Sequence, residues 1–238
     1  MNLILLFDAD FIAPTTARLS DRRYTHISLV HKPEVGEQLR VGRLNGETGT
    51  ATVTAIGDQQ VTLEVALERQ PPAPLPATLL LALPRPKMLK RTLQTITAMG
   101  VKQIYLINSY RVDKSYWSTP LLQPGAIEEQ LLLGLEQAGD TLIPEVHLRK
   151  RFKPFVEDEL PDIAADTRAL IAHPYGASAC PPPSDQHTTL AIGPEGGFIP
   201  YEVEKLNAAG FASIHIGQRI LRVENAVPVL LARLFPLI

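Results

Sequence analysis

The sequence predicts an α/β protein of two domains, in which a small β-barrel precedes a mostly parallel sheet. Short strands separated by turn residues fill residues 22–67, a proline-rich stretch follows at 69–77, and strands then alternate with helices of about 10 to 14 residues. This alternation is typical of a parallel sheet. With 238 residues, 45% of them apolar and 20% charged, the chain is long enough for two globular domains.

The N-terminal domain is predicted from strand-like runs around two turns. We expect strands in "HISLVHK" (26–32) and throughout residues 37–67, which are rich in Val, Thr and Ile. Asn45-Gly46 and Gly57-Asp58 interrupt the second run, and Asn-Gly supplies the positive φ angles of a tight hairpin. These features favour a β-barrel of the PUA or OB type over residues 1–70.

A proline-rich segment marks the domain boundary. The stretch "RQPPAPLPA" (69–77) holds four prolines within six residues, and proline cannot donate the hydrogen bonds of a strand ladder. We therefore place the second domain at residues 71–238.

The second domain alternates strands with helices. The predicted strands are "ATLLLALP" (77–84), "VKQIYLIN" (101–108), "TRALIAHP" (167–174), "TTLAIGPEGG" with its glycine loop (188–197) and "FASIHIG" (211–217). The predicted helices are "KMLKRTLQTITAMG" (87–100), "AIEEQLLLGLEQAG" (126–139), "PYEVEKLNAAG" (200–210) and a last one at 226–234. The segment "ASACPPPSDQH" (177–187) is predicted to be a flexible surface loop.

Cysteine usage and the first residues indicate a cytoplasmic protein. Cys180 is the single cysteine and cannot form an internal disulfide, which fits a reducing compartment. The sequence contains no His or Cys pattern with metal-ligand spacing, so we expect no metal. The start "MNLILLFDAD" has neither the basic lead nor the length of a signal peptide or membrane span.

Basic residues are concentrated in two places although the formal net charge is −2. Seven basic residues lie between Arg85 and Lys114, against the single acid Asp113, and "RKRFK" (149–153) adds four more. Such clusters can attract a polyanion. A solvated charged face is the alternative interpretation.

Three predicted strands end in loops of special composition: "IAHPYG" (171–176), "IGPEGGF" (192–198) and "IGQRILR" (216–222). Ligands of parallel sheets bind at the carboxyl ends of the strands, and glycines let the backbone approach a ligand closely. We expect Asn225 to be the N-cap of the last helix, with Pro228 in its first turn. Arg222 and Glu224 would then stand at an electropositive helix N-terminus.

The last 50 residues resemble a known family. "IGPEGGF" followed by Glu202, and "IGQRILRVENA" (216–226), are similar to the signature of the RsmE ribosomal RNA methyltransferases of the SPOUT superfamily. Weaker similarity covers nearly the whole chain, including "RYTHISLV" and "GEQLRVGRLNG" near the N-terminus.

The resemblance implies transfer of the methyl group of S-adenosyl-L-methionine to N3 of a uridine in small-subunit (16S) ribosomal RNA. It further implies a C-terminal trefoil knot, an RNA-binding barrel, and a homodimer that acts on ribosomal RNA or the 30S subunit. By this analogy Arg222 holds the uridine or its phosphate and Glu224 handles a proton or positions Arg222. The implied cofactor-binding residues are Ile171, His173, Ile192, Gly193, Glu195, Gly196, Gly197, Ile216, Gly217, Ile220, Leu221, Asn225 and Ala226. The implied RNA-binding residues are Arg22, Arg23, Lys32, Arg85, Lys87, Lys90 and Arg111.

The chain departs from the family pattern at several positions. Thr95 and Ala98 stand in a helix where the family has a lysine and a glutamate, and Asp140 stands where it has an arginine. Val223 replaces a residue with a hydroxyl. Two alternatives therefore stay open: a non-catalytic RNA-binding or ribosome-assembly factor on the same scaffold, and a methyltransferase that acts on another RNA position.

Overall fold

The computed structural model describes residues 2–236, and the chain divides into two compact units. The first unit contains the residues up to Ala73 together with Leu132–Ile143, and the second contains Pro74–Leu131 and the residues from Pro144 onward. The segment 132–143 thus belongs with the N-terminal unit although it lies far along the sequence.

The first unit is built on a six-stranded sheet of order β1-β4-β5-β6-β3-β2. Its strands are β1 (Ile4–Leu6), β2 (Phe11–Ala13), β3 (Thr16–Leu19), β4 (Gln38–Arg43), β5 (Thr48–Ile56) and β6 (Val61–Arg69). β1 pairs with β4 in parallel and the other pairs are antiparallel. The turns at Asn45 and Gly57 are found as predicted, with φ of 58° at Asn45. The barrel stays a prediction, since β1 and β2 occupy the two ends of the strand order.

The strand predicted at 26–32 is wrong, because this segment is helical. Helix α1 (Arg22–His26) continues as a π-helical turn over Ile27–His31. The side chain of Asp21 accepts a hydrogen bond from the backbone N–H of Arg23 and so caps α1. Tyr24 and Ile27, three residues apart, both pack on the core of the unit. This is helical spacing rather than the alternation of a strand.

The second unit is built on a seven-stranded sheet of order β11-β13-β10-β12-β7-β8-β9. Every pairing in it is parallel, which confirms the predicted class. Its strands are β7 (Ala77–Ala82), β8 (Gln103–Ile107), β9 (Glu145–Arg149), β10 (Arg168–Ala172), β11 (Ser178–Ala179), β12 (Thr188–Ile192) and β13 (Ala212–His215). β9 was not predicted from the sequence, and β11 lies in the segment that was predicted to be a surface loop.

Four helices of the second unit lie close to the predicted positions, and the two short helices between β9 and β10 were not predicted. They are α2 (Pro86–Ala98), α3 (Pro124–Ala138), α4 (Phe152–Pro154), α5 (Leu160–Ile163), α6 (Pro200–Ala208) and α7 (Val223–Leu234). Residues 132–138 of α3 belong to the first unit, and a π-helical turn joins α4 to α5. Gly100, Gly139 and Gly210 follow α2, α3 and α6 with positive φ, as helix C-termini require.

The predicted N-cap of α7 is wrong. The helix begins at Val223, so its N-cap is Arg222, and the backbone carbonyl of Arg222 already accepts from the N–H groups of Asn225 and Ala226. Asn225 is therefore in the first turn, and Pro228 lies inside the helix. Among residues 2–236, no helix is long and apolar enough to cross a membrane.

Candidate active site

A cleft of about 660 Å³ lies at the carboxyl edge of the parallel sheet. Its walls come from the segments that follow three strands, namely residues 172–176 after β10, 192–198 at the end of β12, and 213–221 along and after β13. β10 lies between β12 and β13 in the sheet, so their three ends are neighbours. The structure therefore brings together the three loops that the sequence indicated.

Glycines shape two of the loops. Gly197 and Gly217 have φ of 72° and 130°, which L-residues with a side chain rarely adopt. A Cβ on Gly193 would lie 3.0 Å from the backbone nitrogen of Phe198, so close packing favours glycine at this position. The loops can approach a ligand through their backbone at these points.

One side of the cleft is apolar. Ile192 is buried at its base, and Ile216 is half-buried. Ile220 and Leu221 also line it, with 68% and 38% of their surface exposed, so this wall is open to solvent. Exposed apolar side chains around a cleft are typical of a binding site for a flat, partly apolar ligand.

His173 contributes a neutral polar group to the cleft. Burial lowers the pKa of this imidazole below its usual value. Its Nδ1 atom is buried and has no hydrogen-bond partner among the described residues, and its ring meets Tyr175 edge-on at 5.8 Å between centroids. Buried polar atoms without partners mark sites where a ligand or water completes the bonding.

Two arginines from neighbouring segments touch the loop after β12. Arg85, which precedes α2, places its Nε 3.8 Å from the Glu195 carboxylate. Arg111, which follows β8, donates to the backbone carbonyl of Gly196 and lines the cleft. Its aliphatic chain covers Gly196, where a Cβ would lie 2.9 Å from the Arg111 Cδ atom.

Helix α6 supplies part of the cleft wall, which was not predicted from the sequence. Its lining residues are Pro200, Val203, Glu204 and Asn207. They recur at positions i, i+3, i+4 and i+7, which is one face of a helix, so periodicity was the signal that could have found them.

Glu202, on the opposite face of α6, is 2% exposed. One carboxylate oxygen accepts from the backbone N–H of Ile199 at 3.0 Å, which caps the helix, and from the Ser109 hydroxyl at 3.0 Å. The other oxygen accepts from the backbone N–H of Tyr110 at 2.7 Å. The glutamate of the sequence signature therefore joins α6 to the segment after β8.

Most of the expected cofactor-binding residues line the cleft, and two do not. Ile171 is fully buried within β10, behind the lining residues, and Asn225 is exposed on the first turn of α7. The expected catalytic residues Arg222 and Glu224 also lie off the cleft, the former exposed and the latter half-buried. Because α7 begins at Val223, it presents Val223 and Ala226 to the cleft instead.

The expected RNA-binding residues differ in their exposure. Those exposed to solvent are Arg22, Lys32, Arg85, Lys87, Lys90 and Arg111. The prediction that Arg23 binds RNA is wrong, because its side chain is 3% exposed and binds Asp10, Asp21 and the carbonyl of Leu5. A buried guanidinium whose donors are already satisfied by acceptors of the protein cannot reach a phosphate.

Two of the departures from the family pattern have structural roles. The carboxylate of Asp140 is buried and accepts from the backbone N–H groups of Thr141 and Leu142 at 2.6 and 3.0 Å, so it fixes the turn after α3. Val223 is 5% exposed at the start of α7. Within residues 2–236, no group of three or more His, Cys, Asp or Glu side chains is arranged to hold a metal ion.

Comparison with known proteins identifies the family. A model of the RNA methyltransferase domain matches residues 71–235. The chain is 29% identical over 237 residues to the ribosomal RNA small subunit methyltransferase E of Treponema pallidum, covering 95% of this chain and 87% of that protein. It is 28% identical over 155 residues to the protein of the same name from Mesomycoplasma hyopneumoniae, covering 65% and 67%.

Solved structures show the same fold. A ribosomal RNA small subunit methyltransferase E from Neisseria gonorrhoeae, bound to S-adenosyl methionine, superposes with a TM-score of 0.75 at 21% identity over 98% of this chain and 95% of that one. A methyltransferase from Legionella pneumophila in complex with SAM superposes with a TM-score of 0.74 at 23% identity, over 98% and 96%. The resemblance inferred from the sequence is thus confirmed, and the chain belongs to the RNA methyltransferase domain family, of the type represented by ribosomal RNA small subunit methyltransferase E.

Proposed function

We propose that this protein methylates N3 of a uridine in 16S ribosomal RNA, with S-adenosyl-L-methionine as methyl donor. The observation that carries the proposal is the single cleft lined by all three strand-end loops. A volume of about 660 Å³ falls within the usual range for small-molecule sites. The structural neighbours from two bacteria with bound S-adenosyl methionine support the same donor.

The residues present fit this donor. The positive-φ glycines Gly197 and Gly217 leave space where a Cβ would stand, since no atom lies within 4 Å of that position at either glycine. The apolar residues Ile216, Ile220 and Leu221 suit an adenine ring. The carboxylates that line the cleft, Glu195 and Glu204, suit the ammonium group of the donor's methionine part. The donor carries a sulfonium methyl group, which passes to a nucleophilic nitrogen by in-line displacement.

The protein's own contribution is mainly positioning, because methyl transfer requires two reactants to be held in line. His173, whose pKa is lowered by burial, can offer a neutral imidazole nitrogen as a hydrogen-bond partner within the cleft. The N3 proton of the uridine must leave as the N–CH₃ bond forms and the S–CH₃ bond breaks. By family analogy we assign Arg222 to the substrate side, where it would hold the uridine or its phosphate. Glu224 would either take up the N3 proton or position Arg222.

By the same analogy we propose a C-terminal trefoil knot, a homodimer and a cytoplasmic location. The proposed substrate is small-subunit ribosomal RNA or the 30S subunit. Light scattering on the purified protein tests the dimer, for which we expect twice the chain mass of 26.1 kDa.

The decisive experiment compares ribosomal RNA from a deletion strain with that of its parent by mass spectrometry. We expect one N3-methyluridine to disappear and to return when the gene is restored. An unchanged modification pattern would favour the non-catalytic RNA-binding alternative, and loss of a different modification would identify another target position. Isothermal titration with S-adenosyl methionine separates donor binding from activity.

A further inference from the structure

The segment after β8 is held in place at three successive residues, Asn108, Ser109 and Tyr110. The side chain of Asn108 accepts from the Trp117 indole N–H at 2.9 Å, and its backbone N–H donates to the carbonyl of Arg149. Ser109 and the backbone of Tyr110 bind the buried carboxylate of Glu202. The segment therefore has a fixed backbone, although it has no regular structure.

Tyr110 nevertheless projects into solvent from this fixed backbone. It is 81% exposed, more than any other large hydrophobic or aromatic side chain among residues 2–236. Single exposed apolar residues are common on protein surfaces. Tyr110 differs because its own N–H is bonded to a buried carboxylate and the next residue, Arg111, lines the cleft.

Tyr110 is followed in the chain by Arg111, and a second arginine, Arg85, contacts the same loop as Arg111 does. Arg111 and Arg85 reach consecutive residues of the loop after β12, Gly196 and Glu195. Lys87 and Lys90 are exposed on α2, the helix that follows Arg85. An aromatic ring among cationic side chains is the arrangement by which proteins bind single-stranded nucleic acid, because the cations attract the phosphates and the ring stacks on a base.

We propose that Tyr110 is the platform on which a nucleobase of the RNA substrate stacks at the rim of the cleft, and that Glu202 is the residue that positions it. This inference rests on the proposed function, since it takes RNA as the substrate. Stacking needs a ring attached to a fixed point of the backbone, and the bond from the Tyr110 N–H to Glu202 fixes that point while leaving the side chain free to meet a base. Tyr110 thereby contacts substrate, whereas Glu202 acts through the backbone of its neighbours.

The first test measures the affinity of the full-length protein for a fluorescein-labelled, uridine-rich single-stranded oligoribonucleotide by anisotropy. Tyr110→Ala should weaken binding by at least about fivefold, because stacking of one base contributes that much or more. Tyr110→Phe keeps the ring and should stay within about twofold of the wild type. Tyr201→Ala is the matched control, since Tyr201 is a 44% exposed tyrosine on α6, and it should also stay within about twofold.

Three results would overturn the platform. The first is an RNA affinity that Tyr110→Ala leaves unchanged, and the second is a loss of affinity in Tyr110→Phe as large as that in Tyr110→Ala. The third is a change of oligomeric state in Tyr110→Ala, measured by light scattering, which would place Tyr110 in a subunit interface. A wild-type protein that binds no RNA would overturn it as well. If Tyr110-dependent RNA binding is found but no methyl transfer, the proposed function fails and the platform stands.

The role of Glu202 is tested by a double-mutant cycle. Glu202→Gln should weaken RNA binding in the wild-type background and have little further effect in Tyr110→Ala, because both changes remove the same contact. Hydrogen exchange should show faster exchange of the Tyr110 amide in Glu202→Gln. If Glu202→Gln does not fold, Ser109→Ala replaces it in the cycle, because this change removes one bond to Glu202 and leaves the cap of α6 intact. Additive losses in the cycle would mean that Glu202 has a merely structural role.

Discussion

Replacing Arg23 by methionine is expected to destabilise the first unit strongly, although the residue resembles a surface cation in the sequence. Its guanidinium donates to both oxygens of Asp10 at 2.6 and 2.8 Å, to Asp21, and to the carbonyl of Leu5 at 2.6 Å. The Arg23 side chain is 3% exposed and that of Asp10 is 11% exposed. Methionine fills the space but leaves the Asp10 carboxylate and the Leu5 carbonyl without this donor.

The expected loss follows from these two acceptors. Removing one partner of a buried ion pair costs about 3–5 kcal/mol, because a charge stays buried without compensation. Asp21 adds little, since its side chain is 49% exposed and water can replace the arginine. We therefore expect the free energy of unfolding to fall by about 3–5 kcal/mol.

Urea denaturation followed by circular dichroism measures this loss. The matched control is Arg43→Met, which breaks an ion pair with Asp8 whose side chains are 50% and 81% exposed, and it should cost less than about 1 kcal/mol. The double variant Arg23→Met, Asp10→Leu should recover part of the loss, because no buried charge remains. Equal losses for Arg23→Met and Arg43→Met would refute the reasoning.

Three further predictions concern the cleft and the dependence of stability on pH. Gly217→Ala should reduce the affinity for S-adenosyl methionine about tenfold in calorimetry, because φ of 130° is strained for alanine. The control is Gly125→Ala, which should leave the affinity unchanged, because Gly125 does not have a positive φ and no atom lies within 4 Å of its Cβ position. Burial lowers the pKa values of His26 and His173, so the unfolded state takes up more protons than the folded state. The free energy of unfolding should therefore fall as the pH drops below 6.5. A free energy of unfolding that stays constant between pH 7 and 5.5 would contradict this. Burial alone would raise the pKa of Asp21, but the hydrogen bonds and charge of Arg23 outweigh this effect and lower the pKa. The ionised carboxylate therefore stabilises the fold above pH 3.8, and this contribution is lost as the pH falls further. Asp21→Asn should make the free energy of unfolding depend less on pH in the acid range.

Local patterns predicted most strands and helices of the second unit and the loops of the site, but not β9, β11, α4 or α5. The runs at 77–84 and 188–192 are continuously apolar because their strands are buried on both faces of a parallel sheet. The glycine-rich loop after β12 was recognisable because its backbone conformation and close packing favour glycine at particular positions, such as Gly193 and Gly197. These requirements involve residues that are close together in the chain, so they can be predicted from the sequence.

What the sequence by itself determined about this protein is its α/β class, its parallel sheet and the three loops of the cleft, because periodicity and turn chemistry are local. Only the tertiary structure decided that Arg23 is a buried cation, that Glu202 binds a segment 93 residues earlier in the chain, and that residues 132–143 belong with the N-terminal unit. These outcomes depend on which distant groups come within hydrogen-bonding distance or share a core. Residue type and spacing are the same whether an arginine faces water or two carboxylates, so only folding distinguishes the two.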